Sequence, residues 1–368
     1  MKVALLTYST RPRGGVVHTL ALAEALAAQG IDVHVWTLGR GGDSAFFRPV
    51  AETVTVRAVP FADGGDEETV GARILRSIEV LGAAFASERA SYDVVHAQDC
   101  ISANAAMASG PCLRTIHHLD TFTTPELVAC HERAVVGPTA RVCVSGSVAE
   151  EVRAGWGLTP TVIPNGVDAR RFEAGAADVA GRARWADRLG DYVLALGGIE
   201  PRKGSLDLLE AFALLRDARP GLRLVFGGGE TLFDYRDYRA AFDARAIELG
   251  VVPEVVGTIA EEDLPSLVGQ AAALAMVSTK EGFGLAALEA LAAGVPVVAR
   301  DLPVLREVFG PTIAYAGDHV TIARSLDEVL GSPPSAVAGR DLARRFTWDS
   351  AARAHLEFYE SLGAAGTA

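Results

Sequence analysis

The chain has 368 residues, beyond the length at which a single hydrophobic core usually stops growing, so two domains are expected. With 49% hydrophobic residues, 22% charged residues and a net charge of −12, it reads as an ordinary α/β protein, without the basic footprint of a nucleic-acid binder. No stretch approaches the roughly 18 apolar residues of a membrane-spanning helix, and Tyr8-Ser9-Thr10-Arg11 interrupts the opening apolar run before a signal-peptide core is complete, so the cytoplasm is the expected location.

In chain order, Val3–Tyr8 reads as a buried strand and Arg11-Pro12-Arg13-Gly14-Gly15 as the turn after it. A helix follows from about Val17 to Gln29, ended by Gly30. Asp32–Leu38, Val54–Pro60, Asp93–Gln98, Leu113–His118, Arg141–Ser145 and Thr161–Pro164 read as further strands. Between them, Val70–Glu88 is an amphipathic helix with Ile74, Ile78, Leu81 and Phe85 inward and a mixed face of Arg73, Arg76 and Glu79 outward, which gives no support for peripheral membrane contact. Apolar strands alternating with helices imply a parallel sheet covered on both faces.

The pattern restarts after Asn165-Gly166-Val167-Asp168, with a polar Ala- and Gly-rich stretch near Glu173–Gly190 as linker and first connecting helix. New strands are expected at Tyr192–Leu196, Leu222–Phe226, Glu254–Val256, Leu274–Val277, Val295–Ala299 and Ile313–Tyr315. The reading is therefore an N-terminal Rossmann-like domain over residues 1–168, a C-terminal one over 169–347, and a last helix over about 348–368 that packs back on the first. Two doubly wound parallel sheets in series bind ligands where their strand C-termini face a central cleft.

Four stretches carry chemistry. In Ser278-Thr279-Lys280-Glu281-Gly282-Phe283-Gly284-Leu285, running on to Glu289, a strand gives way to a helix through two glycines. Such a turn lets backbone approach a ligand and presents unpaired N–H groups to an anion, as a diphosphate would require. Glu281 in the loop and Glu289 about two turns into the helix suit hydroxyl groups of a sugar or ribose, since carboxylates repel phosphate. In Gly197-Gly198-Ile199-Glu200-Pro201-Arg202-Lys203-Gly204, the basic pair stands before the next helix, where Lys203 can meet an anion; a solvated surface lysine fits the spacing equally. Gly14-Gly15-Val16-Val17-His18 is a tight turn that lacks G-x-G-x-x-G, which disfavours a dinucleotide-dependent oxidoreductase. His96, His117 and His118, followed by Asp120, fall at strand ends, where structural histidines are also common, and no convergent ligand set for a metal is visible. Cys100, Cys112, Cys130 and Cys143 lack C-x-x-C spacing and read as buried, reduced thiols rather than metal or disulfide partners.

Together these stretches resemble the retaining glycosyltransferases of the large family 4 group, which contains bacterial phosphatidylinositol mannosyltransferase and sucrose-phosphate synthase. The Glu281-x7-Glu289 element with its Gly-Phe-Gly-Leu interior is the most specific match, joined by Val162–Asp168 with Arg171-Phe172, by Pro201–Gly204 and by Phe346-Thr347-Trp348. The resemblance implies a GT-B fold and a metal-independent transferase moving a hexose-type sugar from a UDP- or GDP-sugar to a small-molecule, glycan or lipid-linked acceptor, with no cofactor. It implies that Gly14 and Gly15 pack beside the donor diphosphate, that Lys203 contacts phosphate, and that Glu281 binds the transferred sugar near the amides of Phe283 and Gly284. Gly282 and Leu285 belong to the same donor turn, Glu289 holds the ribose and His117 lines the reaction centre. One departure stands out: the arginine usual five residues before the lysine is Gly198 here, and Arg202 is the candidate to replace its charge. A sugar-nucleotide epimerase or phosphorylase of the same fold, or a noncatalytic nucleotide-sugar-binding protein, remains open on the residues alone.

Overall fold

The computed structural model describes residues 1–65, 68–228 and 235–365, and every paired strand in it is parallel to its neighbours. The chain divides into two units, Met1–Gly166 with Trp348–Ala368, and Val167–Thr347.

The first unit contains β1 (Lys2–Leu6), α1 (Gly14–Ala28), β2 (Asp32–Arg40), β3 (Val54–Phe61), α2 (Val70–Ala86), β4 (Val94–Ala97), α3 (Cys100–Met107), β5 (Leu113–Ile116), α4 (Pro125–Val136), β6 (Ala140–Cys143), α5 (Gly146–Trp156) and β7 (Thr161–Val162). Its seven strands run in the order β3-β2-β1-β4-β5-β6-β7. Val3, Leu5, Val33 and Val35 point to one face, under Leu20 and Leu26 of α1, and Ala4, Leu6, Trp36 and Leu38 point to the other, under Leu81 and Phe85 of α2. That two-sided burial is why these strands read as unbroken apolar runs.

The second unit contains α6 (Ala169–Ala177), α7 (Val179–Leu189), β8 (Tyr192–Leu196), α8 (Ser205–Arg216), β9 (Arg223–Gly227), α9 (Arg236–Leu249), β10 (Glu254–Gly257), α10 (Leu264–Gln270), β11 (Ala273–Met276), α11 (Leu285–Ala293), β12 (Val297–Arg300), α12 (Pro303–Phe309), β13 (Ala314–Ala316), α13 (His319–Gly331) and α14 (Ala336–Ala343). Its six strands run β10-β9-β8-β11-β12-β13. The final helix, α15 (Trp348–Ala365), belongs to the first unit, where Ala352 and Tyr359 join the core beneath α1. Residues 366–368 of the expected last helix lie outside the described residues. Among the described residues no helix is long and apolar enough to cross a membrane.

In each sheet the strand order reverses once, between β1 and β4 and between β8 and β11, and a crevice opens outside the strand C-termini at such a point.

Three local expectations need correction. The first helix begins at Gly14 rather than near Val17, so the two glycines are its first turn and not a loop; burial of Val16, His18, Thr19 and Leu20 overrides their poor helix propensity. The stretch 173–190 is not an open linker: Asp168 and Asp178 each accept a backbone N–H and start two successive helices, α6 and α7. Strand pairing at β5 stops at Ile116, which leaves His117 and His118 in the loop beyond.

One glycine lets the loops after β8 and β11 of the second sheet touch. Gly204 has φ +65° and lies so close to β11 that a Cβ would stand 2.4 Å from the Val277 carbonyl oxygen. Gly157, by contrast, ends α5 at φ +67° in open space. Gly204→Ala should therefore cost on the order of 1–3 kcal/mol and Gly157→Ala about 1 kcal/mol or less, read as a larger fall of the urea midpoint for the first.

Candidate functional site

The second unit's crevice is built by two loops leaving β8 and β11. After Leu196, Gly197 turns at φ +126° and its amide donates to the Gly227 carbonyl at 2.8 Å. Its missing side chain leaves room for the Lys203 stem, whose Cε would be 3.2 Å from a Cβ there. A short 3-10 turn, Pro201–Lys203, then carries the basic pair, and Gly204 separates it from α8. Lys203 thus precedes the helix by a turn of its own. The Thr279 amide donates to the Arg202 carbonyl at 2.8 Å, which ties the β8 loop to the β11 loop.

Across that tie, Lys203 Nζ donates to Glu281 Oε1 at 2.8 Å, and Ser278 Oγ donates to the same oxygen at 2.9 Å. Arg202 Nη1 lies 3.8 Å from Glu281 Oε1 and donates to the Lys280 carbonyl at 3.3 Å. Burial alone would push Glu281 upward, but Lys203 and Arg202, with the hydrogen bonds from Lys203 and Ser278, outweigh it and hold the carboxyl at about 2. Gly282, Phe283 and Gly284 are buried, with Phe283 edge-on to Phe346 at 5.5 Å. Gly284, at φ +99°, is pressed between Phe309 and Met276 and opens α11 without a side-chain cap. Among the described residues, nothing accepts from the amides of Phe283, Gly284, Leu285 and Ala286. Bare donors at a helix start beside an ammonium and a guanidinium suit a compact polyanion.

Glu289 is the fifth residue of α11, little more than one turn in, rather than two. Burial raises its carboxyl to about 7; Arg171 opposes the shift and Glu261 adds to it. Arg171 is itself committed to Glu261, with Nη1 2.7 Å from Oε1. The result is a carboxyl group that changes charge near neutrality and can accept hydroxyl hydrogens.

The first unit presents a different chemistry. Gly15 packs against His117, a Cβ there standing 3.5 Å from Cδ2, whereas a Cβ at Gly14 would meet nothing within 4 Å. His117 lies edge-on to His18 at 4.7 Å between centroids, and His355 of α15 lies 6.2 Å from His18 and 5.7 Å from His96. Asn165 Oδ1 meets His18 Nδ1 at 2.9 Å, while His96 contacts the Tyr359 hydroxyl at 2.7 Å and the Thr115 hydroxyl at 2.8 Å. Burial drives all four imidazoles downward, His117 to about 3 and His355 to about 4, so they are neutral. The Nε2 atoms of His18, His117 and His355 are buried without a partner.

The structure therefore brings Lys203, Arg202, Glu281, Gly282, Phe283, Gly284 and Leu285 to one edge, with Glu289 deeper on α11, and brings Gly15 to His117 in the first unit. Sequence reasoning missed Ser278, although it lies inside the quoted motif, and the Arg171–Glu261 pair facing Glu289. It also missed the convergence of His18, His96 and His355, for which spacing carries no signal. Among the described residues, no group of three or more His, Cys, Asp or Glu side chains is arranged to hold a metal.

Residues 12–171 match the family described as Glycosyltransferase Family 4, and residues 188–345 match that described as Glycosyl transferases group 1. A D-inositol 3-phosphate glycosyltransferase of Stackebrandtia nassauensis is 30% identical over 407 residues, covering 95% of this chain and 89% of the relative. Among solved structures, sucrose-phosphate synthase of Thermosynechococcus elongatus superposes with a TM-score of 0.79 at 20% identity, over 99% of this chain and 100% of the other. HepE of Anabaena, in complex with UDP-glucose, gives 0.77 at 18% identity, over 98% and 100%. At these identities the structural likeness concerns the fold, which is GT-B.

Two pH effects follow, with opposite signs. The folded-state histidines titrate below their ordinary value near 6.5, so the stability they contribute is complete above that pH and is lost as pH falls toward 4, by up to about 1.4 kcal/mol per pH unit per imidazole. His355→Leu should flatten the fall of the urea midpoint between about pH 6.5 and 5. Glu289, raised in the folded state, penalises folding once pH rises from about 4.5 through 7. Glu289→Gln should raise the unfolding free energy at about pH 8 by on the order of 1–3 kcal/mol, read from urea titrations, and leave it unchanged near pH 4.

Proposed function

As the chain belongs to the group 1 and family 4 glycosyltransferases, we propose that it transfers a hexose, with retention of anomeric configuration and without a metal, from a nucleoside-diphosphate sugar to a small-molecule, glycan or lipid-linked acceptor. The observation that carries this reading is the Lys203–Glu281 pair at 2.8 Å beside the unbonded amides that open α11.

Glu281 is the counter-ion of Lys203. An arriving diphosphate supplies a stronger one, so Lys203 and Arg202 turn to phosphate oxygens together with the amides of Phe283 to Ala286. Glu281 is then released to accept from hydroxyls of the transferred sugar, and Glu289 accepts from the ribose. Gly282, Gly284 and Leu285 shape this turn so that the backbone itself is the anion contact. Gly14 and Gly15 are assigned a place beside the donor diphosphate and His117 the reaction centre, where a neutral imidazole hydrogen-bonds the sugar without repelling positive charge at the anomeric carbon.

As the glycosyl–phosphate bond breaks, negative charge grows on the leaving diphosphate. Preorganised donors of the kind gathered around Lys203 contribute roughly 3–4 kcal/mol each to such steps. The leaving phosphate takes the acceptor proton, and the acceptor enters on the face that the phosphate leaves. Arg202 faces the same Glu281 oxygen as Lys203 does, which supports its standing in for the charge that Gly198 lacks.

HepE's complex with UDP-glucose makes UDP-hexoses the first donors to try, followed by GDP- and ADP-sugars. Donor binding should raise the thermal midpoint, and proton NMR of the product should show the donor's anomeric configuration. Inverted product would overturn retention, and the absence of any shift across all three nucleotide classes would overturn the donor site. Lys203→Ala should lower kcat/KM by at least tenfold, on the order of 1.4 kcal/mol. Arg202→Ala should weaken donor affinity, and unchanged affinity would leave Gly198 uncompensated.

A further inference from the structure

Three neighbouring strands of the first sheet, β3, β2 and β1, gather guanidinium groups at their carboxyl ends, beside the reversal point. Tyr8 follows β1, Arg13 stands just before α1, and Arg40 ends β2. The Tyr8 ring has Arg13 Cζ 5.9 Å and Arg40 Cζ 5.8 Å from its centre. Strand register sets Arg40 opposite Phe61, the last residue of β3, whose ring centre is 4.8 Å from Arg40 Cζ and 4.0 Å from Arg76 Cζ on α2. Arg40 is also tied to α2, its Nη2 donating to the Ser77 hydroxyl at 3.0 Å.

What Arg13 and Arg40 lack is a counter-ion. Among the described residues neither is in an ion pair, the Arg13 guanidinium donates no hydrogen bond, and the Nε atoms of both are buried without a partner. The Tyr8 hydroxyl makes no hydrogen bond among the described residues either. The neighbouring carboxylates are engaged elsewhere. Glu68 takes Arg76 at 2.7 and 2.9 Å, and Asp99 accepts from the amides of Ser102 at 2.8 Å and Tyr8 at 3.0 Å. Other partly buried arginines are matched to acids, Arg48 to Glu24 and Arg245 to Glu210. With 46 acidic against 34 basic residues, the chain does not leave this pair unmatched for want of carboxylates. Burial lowers Arg40 from its ordinary value and repulsion from Arg73, Arg13 and Arg76 adds to the shift, opposed by Tyr8. An incoming anion relieves that repulsion.

We propose that Arg13 and Arg40 bind the phosphomonoester group of a phosphorylated acceptor. This rests on the glycosyl-transfer reading above: with the donor assigned to the second unit, the crevice beside β1 is left to the acceptor. Two guanidiniums balance a phosphomonoester dianion, and their forked N–H donors match its oxygens. The Tyr8 hydroxyl adds a neutral donor. A carboxylate, with one charge and two oxygens, uses only part of this set. A soluble sugar phosphate and a phospholipid headgroup both present the required group.

The test titrates the full-length protein with glucose 6-phosphate, glucose and glucuronate by calorimetry, and floats it with phosphatidylcholine vesicles made with or without phosphatidic acid. Glucose 6-phosphate or the phosphatidic acid vesicles should bind, and whichever binds names the source of the phosphate. Glucose and plain phosphatidylcholine should not bind. Arg13→Gln and Arg40→Gln should each weaken the phosphate probe at least about tenfold. Lys203→Ala, which removes the donor-site ammonium, should leave it unchanged. Arg13→Gln has no side-chain hydrogen bond to lose, so it keeps the test decisive if Arg40→Gln fails to fold. Failure of both phosphate probes would overturn the proposal, as would glucuronate matching glucose 6-phosphate, affinity surviving the loss of both arginines, or affinity vanishing with Lys203→Ala. The thermal shift with UDP-sugars is read on the same proteins and should persist in both arginine variants. Its absence from the wild type would sink the donor reading while leaving arginine-dependent phosphate binding intact.

Discussion

An ammonium and a carboxylate held 2.8 Å apart at the mouth of a parallel sheet govern the rest of the second unit. Neither charge tolerates its sheltered position alone, since removal of one partner strands the other in a poorly solvated site. Keeping both there demands unusual proximity of backbone. Gly197 lets the lysine stem lie flat, Gly204 lets the β8 loop touch the β11 loop, and Gly228 sits where a Cβ would be 2.4 Å from the Gly197 carbonyl carbon. On the proposed donor reading the pair would act as a placeholder, each charge balancing the other until a diphosphate takes over the lysine.

The two reversal points meet the burial of polar groups in opposite ways. At the second sheet, Lys203, Arg202 and Glu281 stay charged and offset one another. At the first, His18, His96, His117 and His355 are stripped of charge by burial, and three of their nitrogens are left unbonded. Orphaned nitrogens of this kind carry a desolvation cost of roughly 1–3 kcal/mol each, a standing strain on the fold that packing by α1 and α15 must exceed.

Much of the architecture was legible because two-sided burial writes itself into sequence as runs such as Val3–Leu6 and Tyr192–Leu196, and because glycines mark where strands stop. Lys203 and Glu281 were each visible in their own motif. That they touch was not, since 78 residues separate them and only the β8–β11 adjacency joins the two loops. Glu289 was legible as a residue but not as a group poised near neutrality, because Arg171 and Glu261 come from other elements. The turn at Gly14 and Gly15 was misjudged for a physical reason: propensity describes an isolated segment, whereas packing of His18 and Leu20 against the sheet extends the helix backwards over both glycines.

The last helix is stitched deep into the first unit. The Tyr359 hydroxyl reaches His96 on a central strand, and Asp349 receives two hydrogen bonds from Gln29 at the foot of α1. These partners are separated by the entire second unit, Val167–Thr347. On the ribosome, at roughly 5–20 residues per second, the first unit must wait on the order of ten to forty seconds for the segment that caps its apolar face under α1. During that interval the second unit can close around its own sheet, so the half of the protein made first is the half finished last.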